Sequence, residues 1–105
     1  MTIETYAPNL ATQSRIDIAT TCDDLKELLL AKNRKYGDAA LSPLRIFSKA
    51  DAVEQIKVRL DDKLSRIANQ QNDEDEDVIQ DLLGYLILLK IAQRRELLAR
   101  IGAVQ

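Results

Sequence analysis

The stretch from Leu82 to Ala92 is the feature that most constrains how this chain can fold. As a helix it is apolar around most of its circumference, because leucines occupy one face while Tyr85, Leu88 and Ile91 point elsewhere. Such a helix needs neighbours on most sides, and two other helices of the same chain cannot surround it. We therefore expect a second copy of the chain to complete the core.

Composition favours helices in the rest of the chain as well. The 105 residues are enough for one domain, spanning 1–105. Aromatic residues make up only 4% of the chain, and its three Gly and two Pro are too few for the closely spaced turns of a β-sandwich. The sequence predicts an all-α helical bundle, in which residues 1–20 form a poorly defined N-terminal segment.

Charge and cysteine usage exclude several other classes. A net charge of −2 and a pI near 5.1 argue against polynucleotide binding, which relies on a basic surface. The single cysteine, Cys22, fits a reducing compartment. The longest apolar run, 82–89, is interrupted by Gly84 and is far shorter than the ~20 residues of a membrane-spanning helix. We expect a cytoplasmic protein without a membrane or polynucleotide partner.

The chain contains no histidine, which restricts the chemistry open to it. Zinc sites mostly use His or Cys ligands, and His is the usual general base near neutral pH. Catalysis would therefore rest on carboxylates, lysine, tyrosine or a metal-activated water. Carboxylates without histidine favour a hard ion, Mg²⁺ or Mn²⁺.

Capping signals predict where the first helices begin and end. A Thr21–Asp24 capping box opens one helix, which ends at Tyr36–Gly37, after a short helix over about 11–19. A second capping box, Ser48–Asp51, opens the next helix, with Phe47 stapled to its first turn. That helix carries an apolar stripe at helical spacing, formed by Val53, Ile56, Leu60, Leu64 and Ile67.

The last helix is expected to pack antiparallel to the one before it. Asn69 to Asn72 has turn composition, Asn72 or Asp73 supplies the cap, and the acidic run 73–77 complements the helix dipole. The helix should continue to Ile101 and stop at Gly102. The two helices would form a long antiparallel hairpin, whose core is completed by homo-oligomerisation.

The hairpin brings carboxylates and cations to the same height, and two interpretations follow. Asp77 and Asp81 share a helix face, opposite the level of Asp62, Lys63 and Arg66, while Tyr85 lies opposite Arg59. In the first interpretation these side chains form ordinary interhelical salt bridges. In the second, Asp62, Asp77 and Asp81 bind a divalent ion, and Arg59, Lys63 and Arg66 hold phosphates. A further cluster, Lys32, Lys35 and Tyr36, is either a cationic helix end or a site for phosphate and base.

Three motifs occur in order along the chain, namely Lys32-Asn33-x-x-Tyr36-Gly37, Arg59-x-x-Asp62-Lys63-Leu64-Ser65-Arg66-Ile67 and Glu76-Asp77-x-x-x-Asp81-Leu82-Leu83-x-Tyr85. Together they resemble the nucleotide-modification-associated proteins of phages and bacteria. More distantly, they resemble the all-α MazG-like and dimeric dUTPase-like nucleoside triphosphate pyrophosphohydrolases. The resemblance covers about 24–89.

That resemblance implies a function and a set of site residues. It implies Mg²⁺-dependent cleavage of a nucleoside triphosphate, in the deoxy series, to the monophosphate and pyrophosphate by a dimer or tetramer. Asp62 and Asp81 would be catalytic, and with Asp77 they would bind the metal. The substrate would contact Lys32, Lys35, Tyr36, Arg59, Lys63, Arg66 and Tyr85.

The chain also departs from the MazG pattern. Ser65 replaces the second Glu of the first carboxylate pair, and Val78 replaces the Glu of the second. These departures keep an alternative open, a non-catalytic helical oligomer that binds nucleotide or acts as a scaffold. A third hypothesis, nucleic-acid binding through Lys32–Lys35 and Arg94–Arg100, conflicts with the acidic pI.

Overall fold

The structure, a computed structural model, describes residues 9–69 and 77–104 of the chain. It contains three helices, α1 Leu10–Tyr36, α2 Ala52–Ala68 and α3 Val78–Val104. No strand occurs in either described range, which confirms the predicted all-α class. Helix α1 begins well inside the segment 1–20 that was expected to be poorly defined.

Helix α1 is continuous, so the predicted helix start at Thr21–Asp24 is wrong. Asn9 caps the helix instead, its Oδ1 accepting a hydrogen bond of 3.0 Å from the Ala11 amide. No Gly or Pro occurs between Leu10 and Tyr36, so nothing in the sequence interrupts the helix. The predicted end at Tyr36 is confirmed, and Gly37 follows at φ +66°, a value that favours glycine.

Helix α2 begins one turn later than its predicted capping box. The N-cap is Asp51 rather than Ser48, because the Asp51 carboxylate accepts the Glu54 amide at 2.9 Å. The Ser48 hydroxyl instead accepts the Ala50 amide within the connector. The predicted staple is also wrong, since Phe47 is 98% exposed.

Helix α3 is capped by Asp77 and extends beyond its predicted end. Asp77 Oδ1 accepts the Gln80 amide at 2.9 Å, which places the cap directly before Val78. The predicted caps, Asn72 and Asp73, lie outside the described residues. At the other end the helix passes through Gly102 to Val104, so the predicted stop is wrong. One glycine costs a helix only ~1 kcal/mol, so Gly102 by itself does not end it.

The core lies between α2 and α3. Val53, Ile56 and Ala92 form its buried centre, and partly buried neighbours close it, namely Leu41, Ala52, Leu60, Tyr85, Leu88 and Leu89. The α2 stripe leaves this core towards its C-terminal end, where Leu64 is 54% exposed and Ile67 is 41% exposed. Helix α1 contacts α3 much more sparingly than α2 does. None of the helices in the described ranges is long and apolar enough to cross a bilayer.

Candidate functional site

A cavity of about 410 Å³ opens where the three helices meet. Its apolar lining comes from Leu28, Leu29, Ala40, Gly84 and Leu88. Its polar and aromatic lining comes from Lys32, Asn33, Tyr36, Lys63, Gln80, Asp81 and Tyr85, with Gly37 at the end of α1. A mostly apolar pocket of this volume with a few convergent polar groups is typical of small-molecule sites.

One carboxylate and two ammonium groups dominate the electrostatics of this pocket. Lys63 Nζ lies 3.2 Å from Asp81 Oδ2, and Lys32 Nζ lies 3.5 Å from Asp81 Oδ1. The Lys63 and Asp81 side chains are only 14% and 21% exposed, so water screens this pair less than a surface pair. Two cations on one carboxylate leave the cluster with a net positive charge.

Helical spacing explains why these side chains converge. Lys32 and Tyr36 are four residues apart on α1, and Asp81 and Tyr85 are four apart on α3, so each pair lies on one helix face. Asp81 also lies in the first turn of α3, where the helix dipole favours a negative charge. Lys63 reaches the pocket from the last two turns of α2.

The turn after α1 is fixed by Asp38. Its Oδ1 accepts a hydrogen bond of 3.0 Å from Asn33 Nδ2, and its Oδ2 accepts one of 3.1 Å from the Ser42 hydroxyl. The Asp38 carbonyl also accepts the Leu41 and Ser42 amides. This network holds Asn33 and the pocket rim at Gly37 and Ala40 in place, a role that Asn33 did not have in the sequence prediction.

Gly84 lets α1 approach α3 at the floor of the pocket. A Cβ built on Gly84 would lie 3.0 Å from Leu29 Cδ2, closer than most side chains tolerate. The sequence carried a signal for this contact, because a glycine inside an apolar helix usually has a packing reason. The prediction treated it only as an interruption of the apolar run.

The structure brings half of the predicted site residues together. Lys32, Tyr36, Lys63, Asp81 and Tyr85 line the pocket, although they come from three separate motifs. The other five do not line it. The Lys35 ammonium lies 5.3 Å from the centroid of the Tyr36 ring, and Asp77 caps α3. On α2, Arg59 and Asp62 are exposed and Arg66 is half-buried.

Comparisons with protein-family models, with curated proteins and with solved structures find no match for this chain. The pocket offers a ligand two ammonium groups, one carboxylate and two tyrosine rings.

The predicted three-carboxylate metal site can be compared with this arrangement. In the described ranges no group of three or more His, Cys, Asp or Glu side chains is placed to hold a metal ion. Asp81 is the single acidic residue among the described side chains of the pocket. Mg²⁺ is commonly held by one or two carboxylates together with substrate phosphates, so Asp81 alone could hold such an ion only with phosphate oxygens as further ligands.

Proposed function

We propose that this chain is a metal-dependent nucleoside triphosphate pyrophosphohydrolase of the nucleotide-modification-associated and MazG-like kind. It would convert a (deoxy)nucleoside triphosphate to the monophosphate and pyrophosphate. One observation carries the proposal: Lys32, Lys63, Asp81, Tyr36 and Tyr85 line one pocket of about 410 Å³ although they come from three separate motifs.

The lysines are suited to the phosphate chain and the tyrosines to the base. Lys32 and Lys63 present ammonium groups at one end of α1 and α2, and ammonium groups bind phosphate oxygens as point charges. Stacking of a base on an aromatic ring contributes ~1–3 kcal/mol and tolerates any base. Tyr36, which is 65% exposed, and Tyr85 supply two such rings at the pocket.

Substrate binding would rearrange the ion pairs around Asp81. When a triphosphate enters, Lys32 and Lys63 transfer their hydrogen bonds from the Asp81 carboxylate to phosphate oxygens. Asp81 would then be the residue free to hold Mg²⁺ or Mn²⁺. Such an ion would supply neutralisation of phosphate charge and an activated water.

In the reaction, a water oxygen forms a bond to the α-phosphorus while the bond between that phosphorus and the α–β bridging oxygen breaks. The bridging oxygen leaves on pyrophosphate, and the water gives up one proton to solvent. Lys32 and Lys63 stabilise the charge that grows on the leaving group.

We also propose that α2 and α3 form an antiparallel hairpin and that a homo-oligomer is the active unit. Lys63, late in α2, pairs with Asp81, early in α3, whereas Val53, early in α2, packs with Ala92, late in α3. The apolar residues left exposed on α2 and α3 support the oligomer.

One observation favours a second candidate, a non-catalytic nucleotide-binding oligomer. Both oxygens of Asp81 are paired with lysines, and no further carboxylate accompanies it among the described lining residues. An ion triad of this kind can serve structure and phosphate binding without any hydrolysis.

Turnover of nucleoside triphosphates, with and without Mg²⁺ or Mn²⁺, distinguishes these candidates. Chromatography of each common (d)NTP after incubation should show metal-dependent formation of a monophosphate and pyrophosphate. Asp81→Asn should abolish it with unchanged far-UV circular dichroism, while Asp61→Asn, a matched change on the exposed surface of α2, should not. Nucleotide binding without turnover would favour the non-catalytic candidate, and neither binding nor turnover would reject both.

A further inference from the structure

Two large surfaces of the described chain lack an intramolecular neighbour. Every side chain from Asn9 to Asp24 is exposed, including Leu10 at 78%, Ile16 at 52% and Ile18 at 64%. We name residues 9–24 the α1 arm. A helical segment of this length gains little stability from its own hydrogen bonds in water, so it needs a surface to pack on.

The second surface is the side of α3 that faces away from α1 and α2. Ile79, Leu83, Leu86, Leu97 and Ile101 recur there at helical spacing, and each is at least 43% exposed. Lys90 and Arg94 continue the same spacing between Leu86 and Leu97. We name this side the α3 outer face.

We infer that the α1 arm of one protomer docks on the α3 outer face of a second copy. The inference rests on the homo-oligomer proposed above and gives it a specific interface. In a two-fold symmetric dimer the contact is made twice, so one interaction covers both exposed surfaces of both protomers.

Charge complementarity supports a second copy as the occupant. The arm carries three acidic side chains, Asp17, Asp23 and Asp24, against one basic side chain, Arg15. The outer face carries Lys90 and Arg94 among its leucines and isoleucines. Opposite charges of this kind favour docking and fix its register.

The exposed area also matches what a stable dimer buries. A compact monomer of this mass exposes about 5,900 Å², whereas this chain exposes 8738 Å². Obligate homodimers bury about 2,000–5,000 Å² in total, or half of that from each protomer. The excess exposure is therefore large enough to supply such an interface.

Sedimentation equilibrium without nucleotide tests the interface separately from the enzyme activity. The wild-type chain should form dimers. The arm variant Asp17→Lys/Asp24→Lys and the face variant Lys90→Glu/Arg94→Glu should each raise the dimer Kd at least tenfold, because each places like charges opposite one another. The control Lys49→Glu/Lys57→Glu, which makes the charge change of the face variant elsewhere on the exposed surface, should stay within twofold of wild type.

Mixing the two variants provides the decisive comparison. In a heterodimer of the arm variant with the face variant, both contacts again join opposite charges, so a Kd close to wild type is expected. A monomeric wild type at about 100 µM would overturn the interface together with the homo-oligomer. A wild-type dimer that both variants and the control weaken equally would overturn the interface alone, as would a mixture that does not recover. Because all of these measurements are made without nucleotide, they are read separately from the turnover assay.

Cross-linking tests the same contact with an unaltered charge pattern. Cys22 is the only cysteine and lies exposed on the arm. Cysteine placed in turn at Ile79, Leu83 and Leu86 should give a disulfide-linked dimer on oxidation at one position or more, since a disulfide needs Cα atoms within about 7 Å. The dimer should disappear in a Cys22→Ser background, and absence of any Cys22-dependent dimer would overturn the interface.

Discussion

At the scale of single residues, Asp81 is the centre of the pocket because two lysines from different helices meet on it. Lys32 is the more exposed of the two, at 50% against 14% for Lys63, and comes from the helix that packs more loosely. Lys32 can therefore leave Asp81 for a phosphate with little disturbance of the core. Lys63 is more deeply seated, and its replacement would affect stability as well as binding.

Lys32→Gln is expected to weaken nucleotide binding about tenfold while leaving the fold intact. A hydrogen bond to a charged group contributes ~1.5–3 kcal/mol, and exposure reduces that value at this position. The measurement is isothermal titration calorimetry with a non-hydrolysable nucleoside triphosphate. Arg34→Gln removes a neighbouring charge that does not line the pocket and should change the Kd less than threefold. Equal losses in both variants would mean that only the general positive charge of α1 matters.

Substitutions of Asp77 distinguish a helix-capping role for this residue from a metal-binding role. Its Oδ1 accepts the Gln80 amide at the start of α3, and Asn caps helices about as well as Asp. We expect Asp77→Asn to keep both stability and turnover, and Asp77→Ala to lose about 1 kcal/mol of unfolding free energy. Urea denaturation and the turnover assay give the two values. Loss of turnover in a stable Asp77→Asn variant would instead assign Asp77 to the metal.

At the scale of helices, sequence patterns located the elements better than their ends. The apolar stripe of α2 and the apolar body of α3 are repeated over many residues, so one misleading position does not hide them. A cap depends on a single side chain, and Thr21, Ser48 and Asp51 are all competent caps in isolation. Helix α1 is continuous through Thr21, and the Ala50 amide donates a local hydrogen bond to Ser48 Oγ, so Asp51 is left as the cap of α2. Neither feature follows from residue type.

For the pocket too, the sequence predicts which residues share a helix face but not how the helices meet. Lys32 and Tyr36, or Asp81 and Tyr85, follow from spacing within one helix. Asn33 and Gly84 depend on how α1 meets the turn at Asp38 and the surface of α3, which is tertiary information. A single sequence specifies faces, but it does not specify which face of one helix meets which face of another.

The two helical glycines of α3 give a matched test of that tertiary contact. Gly102→Ala meets open space and should raise stability by roughly 0.5 kcal/mol, because alanine is the better helix former. Gly84→Ala gains the same propensity but pushes on Leu29, and overpacking typically costs ~1–3 kcal/mol. We expect Gly84→Ala to be less stable than wild type by about 1 kcal/mol. Equal stabilisation by both changes in urea denaturation would show that α1 does not pack closely at Gly84.

At the scale of the whole molecule, the exposed arm and outer face lead us to expect that stability depends on assembly. The radius of gyration is 18.8 Å, whereas a compact chain of this length has about 13 Å. A chain this open buries less apolar surface than a compact one, and so has less to set against the entropy of ordering. The core between α2 and α3 alone would leave α1 marginal, and Lys32 reaches Asp81 only if α1 is held in place.

Folding and dimerisation should therefore be coupled, so the melting temperature should rise with protein concentration. For a dimer that unfolds to two chains, each tenfold increase in concentration adds ~0.7 kcal/mol per protomer, or about 3 °C at the entropy of unfolding expected for this length. In calorimetric scans, the melting temperature should rise by about 6 °C between roughly 5 and 500 µM protein. The face variant Lys90→Glu/Arg94→Glu should melt at a lower temperature than wild type at each concentration, because its dimer is weaker. A wild-type melting temperature that does not change over this range would mean that α1 is ordered by contacts within one chain, and the pocket would then be complete without a partner.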